Sequence, residues 1–256
     1  MDRILLLGDI HGQTAPVENI WRRTGKTADS SDVLILLGDV GANYYLNGRD
    51  AKFKKKLGKF GFTYFCIRGN HEERPENCAK KNPKDWHQED FFGNIVWVED
   101  AFPYIKYALD QPAVYIINGK SALVIPGAYS VDKEYRLQRG WTWFKNEQLS
   151  YIERVESYSL LNRTYNYVLS HTCPASWLPY IQDLFLSQLD QGKIDKTMEN
   201  YLQYVASNIH WDHWYFGHYH DDRDIGAYNA TMLFHQELPL GDSYNSKLIK
   251  LFEQKG

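Results

Sequence analysis

The sequence is poor in the features that mark several large classes of protein. It has three cysteines, Cys66, Cys78 and Cys173, an odd number with none in a C-x-x-C pair. That excludes a disulfide framework and a cysteine-based zinc site, and it favours a reducing, cytoplasmic compartment. Long hydrophobic runs are missing as well. Ile4 to Leu7 is apolar, but Gly8-Asp9 ends the run at strand length, short of a signal-peptide core. Nothing approaches the ~18 apolar residues of a membrane helix, so no membrane partner is expected. No charge of one sign dominates: the formal net charge is -3. A basic face of the kind that grips duplex nucleic acid is therefore not expected. One basic cluster, Lys52, Lys54, Lys55, Lys56 and Lys59, falls in a helical stretch and reads as a solvated outer face.

What is present is enough apolar residue for a sizeable core, 43% of 256 residues. The reading is a single α/β domain over residues 1–256, with an aromatic-rich insert around 75–165. The first seventy residues repeat one pattern. Ile4 to Leu7 runs into Gly8-Asp9, Val33 to Leu37 into Gly38-Asp39, and Phe62 to Ile67 into Arg68-Gly69-Asn70-His71. Apolar runs without alternation suit strands buried on both faces of a parallel sheet. Between them, Pro16 to Arg23 and Asp50 to Lys59 have helical spacing, giving a βαβα order with right-handed crossovers.

The middle of the chain predicts a second, mixed or antiparallel sheet. Its segments are Ile95 to Val98, Ile105 to Leu109, Val114 to Ile117 and Leu123 to Ile125, with a hairpin turn at Asn118-Gly119. Tyr129 to Phe144 reads as a loop and Asn146 to Tyr158 as a helix. Tyr167 to Leu169 is a buried strand running into Ser170-His171. Helices follow at Ser176 to Gln188 and Lys196 to Ser207. Trp214 to Phe216 then runs into Gly217-His218-Tyr219-His220, and strands are expected at Met232 to Phe234 and Lys247 to Phe252.

Asp9, His11, Asp39, Asn70, His71, His171, His218 and His220 all fall just past the C-terminal end of an apolar strand. That edge of an α/β sheet is where ligands bind. Carboxylates, imidazoles and one amide, without thiolates, suit Mn²⁺, Fe²⁺, Zn²⁺ or Co²⁺. Asp9 and His11, like His218 and His220, are spaced i, i+2, which in an extended segment puts both side chains on one side.

With these motifs in order, the sequence resembles the calcineurin-like metallophosphoesterase superfamily. The residues that carry the likeness are Gly8-Asp9-Ile10-His11-Gly12, Gly38-Asp39, Gly69-Asn70-His71-Glu72, Ser170-His171 and Gly217-His218-Tyr219-His220. The resemblance implies a four-layer α/β/β/α sandwich of two mixed sheets flanked by helices. It implies two divalent metal ions, with manganese the preferred identity. Asp9, His11 and His220 would hold the first, Asn70, His171 and His218 the second, and Asp39 would bridge them. His71 would face the substrate as a catalytic residue, and Arg68 could bind phosphate oxygens. The implied activity is hydrolysis of a phosphate mono- or diester, in a small phosphorylated substrate or nucleotide, by a water that two metals activate. Nucleotide pyrophosphohydrolase and phosphoprotein phosphatase are the alternative enzymes, a superfamily nuclease a further rival, and a non-catalytic protein-binding scaffold of the same fold the rival from another class.

The likeness departs at one point. The phosphoprotein phosphatase branch continues its second motif as Gly-Asp-x-x-Asp-Arg-Gly, whereas here Ala42 and Asn43 stand where that aspartate and arginine would be. In that branch the aspartate orients the catalytic histidine and the arginine binds phosphate. Arg136 and Arg139, after Gly127-Ala128-Tyr129, are candidates to supply the charge, although surface arginines are common. His87, His210, His213 and His235 read as structural or surface residues. Trp141, Trp143 and Tyr129 suit core packing or a surface hairpin better than a ring-stacking rim.

Overall fold

The computed structural model describes residues 3–181 and 194–246. Two mixed sheets face each other. In the first, strands β1 (Ile4–Leu7), β2 (Val33–Leu36), β3 (Thr63–Cys66) and β6 (Ile105–Ala108) lie parallel. Antiparallel strands β5 (Asn94–Glu99) and β4 (Trp86–Phe91) extend one edge, and β13 (Leu238–Pro239) closes the other. The second sheet runs β11 (Arg223–Ile225), β12 (Ala230–Met232), β10 (His210–Phe216), β9 (Thr164–Ser170), β8 (Lys120–Ile125) and β7 (Ala113–Ile117).

Strand periodicity sorts the apolar runs into layers. Leu6, Ile35 and Phe65 point inward, where they meet Tyr115, Val124 and Leu169 of the facing sheet. Their neighbours Leu7, Leu34, Leu36 and Tyr64 point outward. They pack on Val17 and Ile20 of helix α1 (Ala15–Arg23) and on Phe53 and Leu57 of α2 (Gly48–Leu57). On the second sheet, Val168, Trp214 and Phe216 are covered by Met198, Leu202 and Val205 of helix α6, Thr197–Ala206. The result is the four-layer sandwich of two mixed sheets flanked by helices.

Several local expectations are corrected. β5 and β6 belong to the first sheet; β7 and β8 alone of the middle segments join the second, and the Asn118-Gly119 turn connects them. The stretch read as a loop contains helix α4, Lys133–Arg139. Helix α3 is Pro75–Lys81, and α5 is Tyr151–Glu156, started by a reciprocal cap between Ser150 and Glu153. After Ser170 the chain makes a 3-10 turn at Ala175–Tyr180 around Pro179, and the rest of the expected helix to Gln188 lies outside the described residues. So does the strand expected at Lys247 to Phe252. The lysines of α2 are not uniformly solvated: Lys54 is buried, donates to Asn43 Oδ1 at 2.8 Å and pairs with Glu99 at 2.5 Å. Among the described residues, no helix is long and apolar enough to cross a membrane.

Candidate metal centre and its pocket

Five loops converge where the C-terminal ends of β1, β2, β3, β9 and β10 meet. The two sheets are tied there by His171, whose Nδ1 lies 2.7 Å from the carbonyl oxygen of Leu37. The backbone of the first loop is stitched to the second by His11 N–H donating to Asp39 O and Gly12 N–H to Val40 O, both at 2.8 Å. Close approach explains the glycines: a Cβ on Gly38 would sit 2.1 Å from the His171 ring, and one on Gly69 2.1 Å from Asp39 Oδ1.

The i, i+2 pairs converge for a different reason than strand alternation. His11, Asp39, His218 and His220 have φ of 44°, 47°, 74° and 54°. These left-handed conformations are costly for residues with a Cβ and cluster at functional sites. The chain is hooked at these points, and the hooks turn the side chains inward.

Asp9, His11 and His220 form one tight group. His11 Nε2 and His220 Nε2 are 2.9 Å apart, and they lie 3.7 and 3.2 Å from Asp9 Oδ2. That oxygen is buried and has no hydrogen-bond partner. An unpartnered buried carboxylate oxygen is costly, and here two imidazole nitrogens face it. Three donor atoms aimed at one point fit a cation. Around the second group, Asp39 Oδ1 and Asn70 Oδ1 lie 3.5 and 3.0 Å from His171 Nε2. The His218 ring packs edge-on against that of His171, centroids 4.9 Å apart. Asp39 Oδ2 faces the other way, 3.9 Å from His11 Nδ1 and 3.8 Å from His71 Nδ1. Asp39 thus stands between the two groups. Asp9 and Asp39 also use their Oδ1 atoms on backbone, accepting from His218 N at 2.9 Å and His71 N at 2.8 Å.

Charge balance fits the same picture. Burial pushes the Asp39 carboxyl up, but His71, His171 and His11 outweigh it and hold it well below the usual carboxylate range. Asp9 is lowered against its burial by His171 and His220. The His171 imidazole, although buried, is raised to about 9 by Asp39 and Asp9. Burial and the charge on His171 push His218 down to about 3. Two buried carboxylates therefore draw positive charge into the centre.

The cluster opens into a cavity of about 390 Å³ lined by His11, Tyr44, Tyr45, His71, Asp132, Arg136, Trp141 and His220 among others. Arg68 is elsewhere. Its guanidinium is buried, bonded to Asp110 and donating to the carbonyl oxygens of Gly69 at 2.8 Å and Glu147 at 2.7 Å. The expectation that it binds phosphate is corrected, because its donors are directed into the protein. Arg136 is the arginine at the cavity. Asp132 Oδ1 and Oδ2 both accept from its Nε at 2.8 Å, Tyr44 OH accepts from Nη1 at 3.1 Å, and Nη2 lies 2.9 Å from each ring nitrogen of His71. Arg139, three residues on, is exposed and rests on the Tyr135 ring.

The missing second-motif carboxylate has a counterpart as well. Ala42 is fully buried in the core and Asn43 is engaged by Lys54, so neither position reaches the cavity. Asp132 instead places Oδ1 4.0 Å from His71 Nε2. Burial lowers the His71 imidazole, and Arg136 adds to that against the pull of Asp39. Sequence reasoning also missed the supports. Glu72 accepts from Gly41 and Ala42 N–H at 2.7 and 3.1 Å, fixing the second loop, while burial and Asp39 raise it to about 7. Asn70 donates Nδ2 to Ser130 Oγ at 3.0 Å, which aims its Oδ1 at the cluster, and Ser130 in turn donates to Glu147 at 2.5 Å. Of the four histidines set aside, His87 and His213 are engaged with Asp100 and Thr231, away from the cluster.

The family model for calcineurin-like phosphoesterases matches residues 2–222. The chain belongs to this family. The family is metal-dependent, and the chain is accordingly a phosphoester hydrolase. No curated protein matches the sequence. Among the solved structures that resemble it are two of low identity. Phosphopantetheinyl hydrolase from Mycobacterium tuberculosis is 11% identical with a TM-score of 0.43, over 91% of this chain and 88% of that one. A protein of unknown function from Aquifex aeolicus is 14% identical with a TM-score of 0.30, over 67% and 81%.

Proposed function

We propose that the chain hydrolyses a small phosphorylated substrate at a centre of two divalent metal ions, with manganese the preferred identity. Asp9, His11 and His220 would hold one ion, Asn70, His171 and His218 the other, with Asp39 shared. When bound, such a pair polarises the phosphoryl group and makes a water nucleophilic near neutral pH. The protein's own part is orientation. His171 donates Nδ1–H to Leu37 O, which leaves Nε2 as its ligand atom. Arg136, docked by Asp132 and Tyr44, aims Nη2 into the cavity and binds the phosphoryl oxygens. His71 is placed between Asp39 and Arg136, where its imidazole would face the phosphoryl group as a catalytic residue. The observation that carries this reading is the convergence of the His11 and His220 nitrogens on the unpartnered Asp9 oxygen.

A small substrate is favoured over a folded phosphoprotein by the cavity of about 390 Å³ that Tyr45 and Trp141 line. The test is turnover of p-nitrophenyl phosphate and bis-p-nitrophenyl phosphate by protein stripped of metal and reloaded with Mn²⁺. Activity should require the metal and fall roughly 100-fold or more in Asp39→Asn. The preferred ester separates monoesterase from diesterase. A protein that binds no divalent ion would overturn the reading.

A further inference from the structure

The cavity over the metal cluster does not end at Trp141. A second hollow of about 520 Å³ adjoins it, lined by Tyr44, Tyr45, Arg49, Gly140, Trp141 and Thr142. The two share Tyr44, Tyr45 and Trp141, so together they form one groove leading from the metal ligands to Arg49. A group esterified to a phosphoryl at the cluster would have this groove beside it.

Two of its rings are unusually wet for their size: Trp141 is 51% exposed and Tyr45 47%. They are nevertheless held in place. Tyr44 packs edge-on against Tyr45 with centroids 4.7 Å apart, and the Arg49 guanidinium lies 4.8 Å from the Tyr45 ring centre. Tyr135 meets Trp141 edge-on at 5.5 Å. Fixed aromatic faces lose little freedom when a partner stacks on them. Such a face favours planar rings and is indifferent to their hydrogen-bonding edge. Quaternary ammonium groups also seek aromatic walls, but Arg49 and Arg136 flank this one, and their charge opposes a cation.

We propose that Tyr44, Tyr45 and Trp141 form a stacking subsite for a neutral planar ring carried by the substrate, so that the enzyme prefers phosphate esters of nucleosides over aliphatic ones. This rests on the two-metal reading above for the place of the phosphoryl group. The chain residue that commits the groove to this use is Trp141, which follows the C-terminal glycine of α4 and shares its segment with Arg136. One short segment thereby supplies the grip on the phosphoryl group and the grip on the ring.

The experiment is calorimetry on Mn²⁺-loaded protein with two ligands whose P–C bonds resist hydrolysis: methylphosphonate, and a phosphonate analogue of adenosine 5′-monophosphate. The nucleoside phosphonate should bind about ten- to a hundredfold more tightly. Trp141→Ala should remove most of that gain and leave methylphosphonate affinity unchanged, whereas Trp141→Phe should keep part of it. Equal affinities in the unaltered protein would overturn the subsite. So would a gain that survives both Trp141→Ala and Tyr45→Ala. Methylphosphonate binding with no nucleoside gain strikes the subsite alone. Nucleoside binding lost in Trp141→Ala supports the subsite whether or not methylphosphonate binds measurably, whereas a protein that takes up no Mn²⁺ strikes the metal-centre reading. Binding of neither ligand overturns both.

Discussion

Arg68 and Arg136 look alike by most measures, yet they do opposite things. Each is nearly buried, at 4% and 7% exposed, and each is paired with an aspartate. Arg68 sits next to the Gly69-Asn70-His71 turn, but its contacts run inward to Asp110, Gly69 O and Glu147 O. Asp110 is shared with Arg74, whose Nε lies 2.8 Å from Oδ2 and whose guanidinium also binds the carbonyls of Asn146 and Gln148. That network ties the third motif to the segment before α5. Arg136 comes from a helix 65 positions beyond His71, yet it is the one whose donor faces the cavity. Adjacency to a motif says where the backbone goes; which way a guanidinium points is decided by the carboxylates around it.

The comparison breaks most visibly at Asp110. Asp110→Ala leaves the buried Arg68 guanidinium, and the partly buried Arg74, short of their shared counter-charge. Removing one partner of a buried ion network costs about 3–5 kcal/mol. Chemical denaturation should show a loss of that size, while kcat per folded, metal-loaded molecule stays close to that of the unaltered protein. If stability held and activity fell, Arg68 would belong to the site after all.

Arg136→Ala is expected to do the reverse. Charge-assisted hydrogen bonds to phosphate are worth about 1.5–3 kcal/mol, so kcat/KM should fall about 10- to 150-fold. Stability should fall by less than in Asp110→Ala, since the carboxylate left behind, Asp132, is 29% exposed and can be hydrated. Arg136→Lys should recover little, because a point charge cannot reproduce the fork that Asp132 and Tyr44 hold. Metal content, measured by elemental analysis, should be unchanged in both. Arg139→Ala, removing a solvated guanidinium on the same helix, should be silent in every readout.

The same contrast explains what could be read from the chain alone. Asp9, His11, Asp39, Asn70, His218 and His220 could be picked out because each follows an apolar strand with a glycine at the bend, a signal contained in a few consecutive residues, and His171 follows such a strand through Ser170. The buried strands of the sandwich were legible for the same local reason. Helix α4 was not: in Lys133–Arg139 the one buried side chain is Arg136, while Tyr135 and Leu137 are exposed, so no apolar stripe marks it. Strand β4 was missed likewise, being an edge strand in which Trp86 alone is buried. The i, i+2 spacing was given an extended backbone because residue identity does not report φ; the left-handed turns at His218 and His220 exist only because surrounding contacts fix them. The supports at Glu72, Ser130 and Glu147 depend on long-range contacts, and nothing local announces them.

A third charged pair tests how much of the contrast is burial rather than chemistry. His87, on β4, and Asp100, just after β5, meet at 2.5 Å, with side chains 47% and 54% exposed. The hydrogen bond to Asp100 raises the His87 imidazole above its ordinary 6.5, against the opposing effect of burial. A histidine with a raised folded value contributes stability that is complete below 6.5 and fades as pH rises through that folded value. Exposed to solvent and salt, the contribution should stay below about 1 kcal/mol. His87→Gln should therefore lower the denaturation midpoint slightly at pH 5.5 and not at pH 8.5, with the difference shrinking in high salt. A loss as large as that of Asp110→Ala would mean that geometry, not removal from water, sets the strength of these pairs. Arg68 would then no longer owe its structural role to its burial.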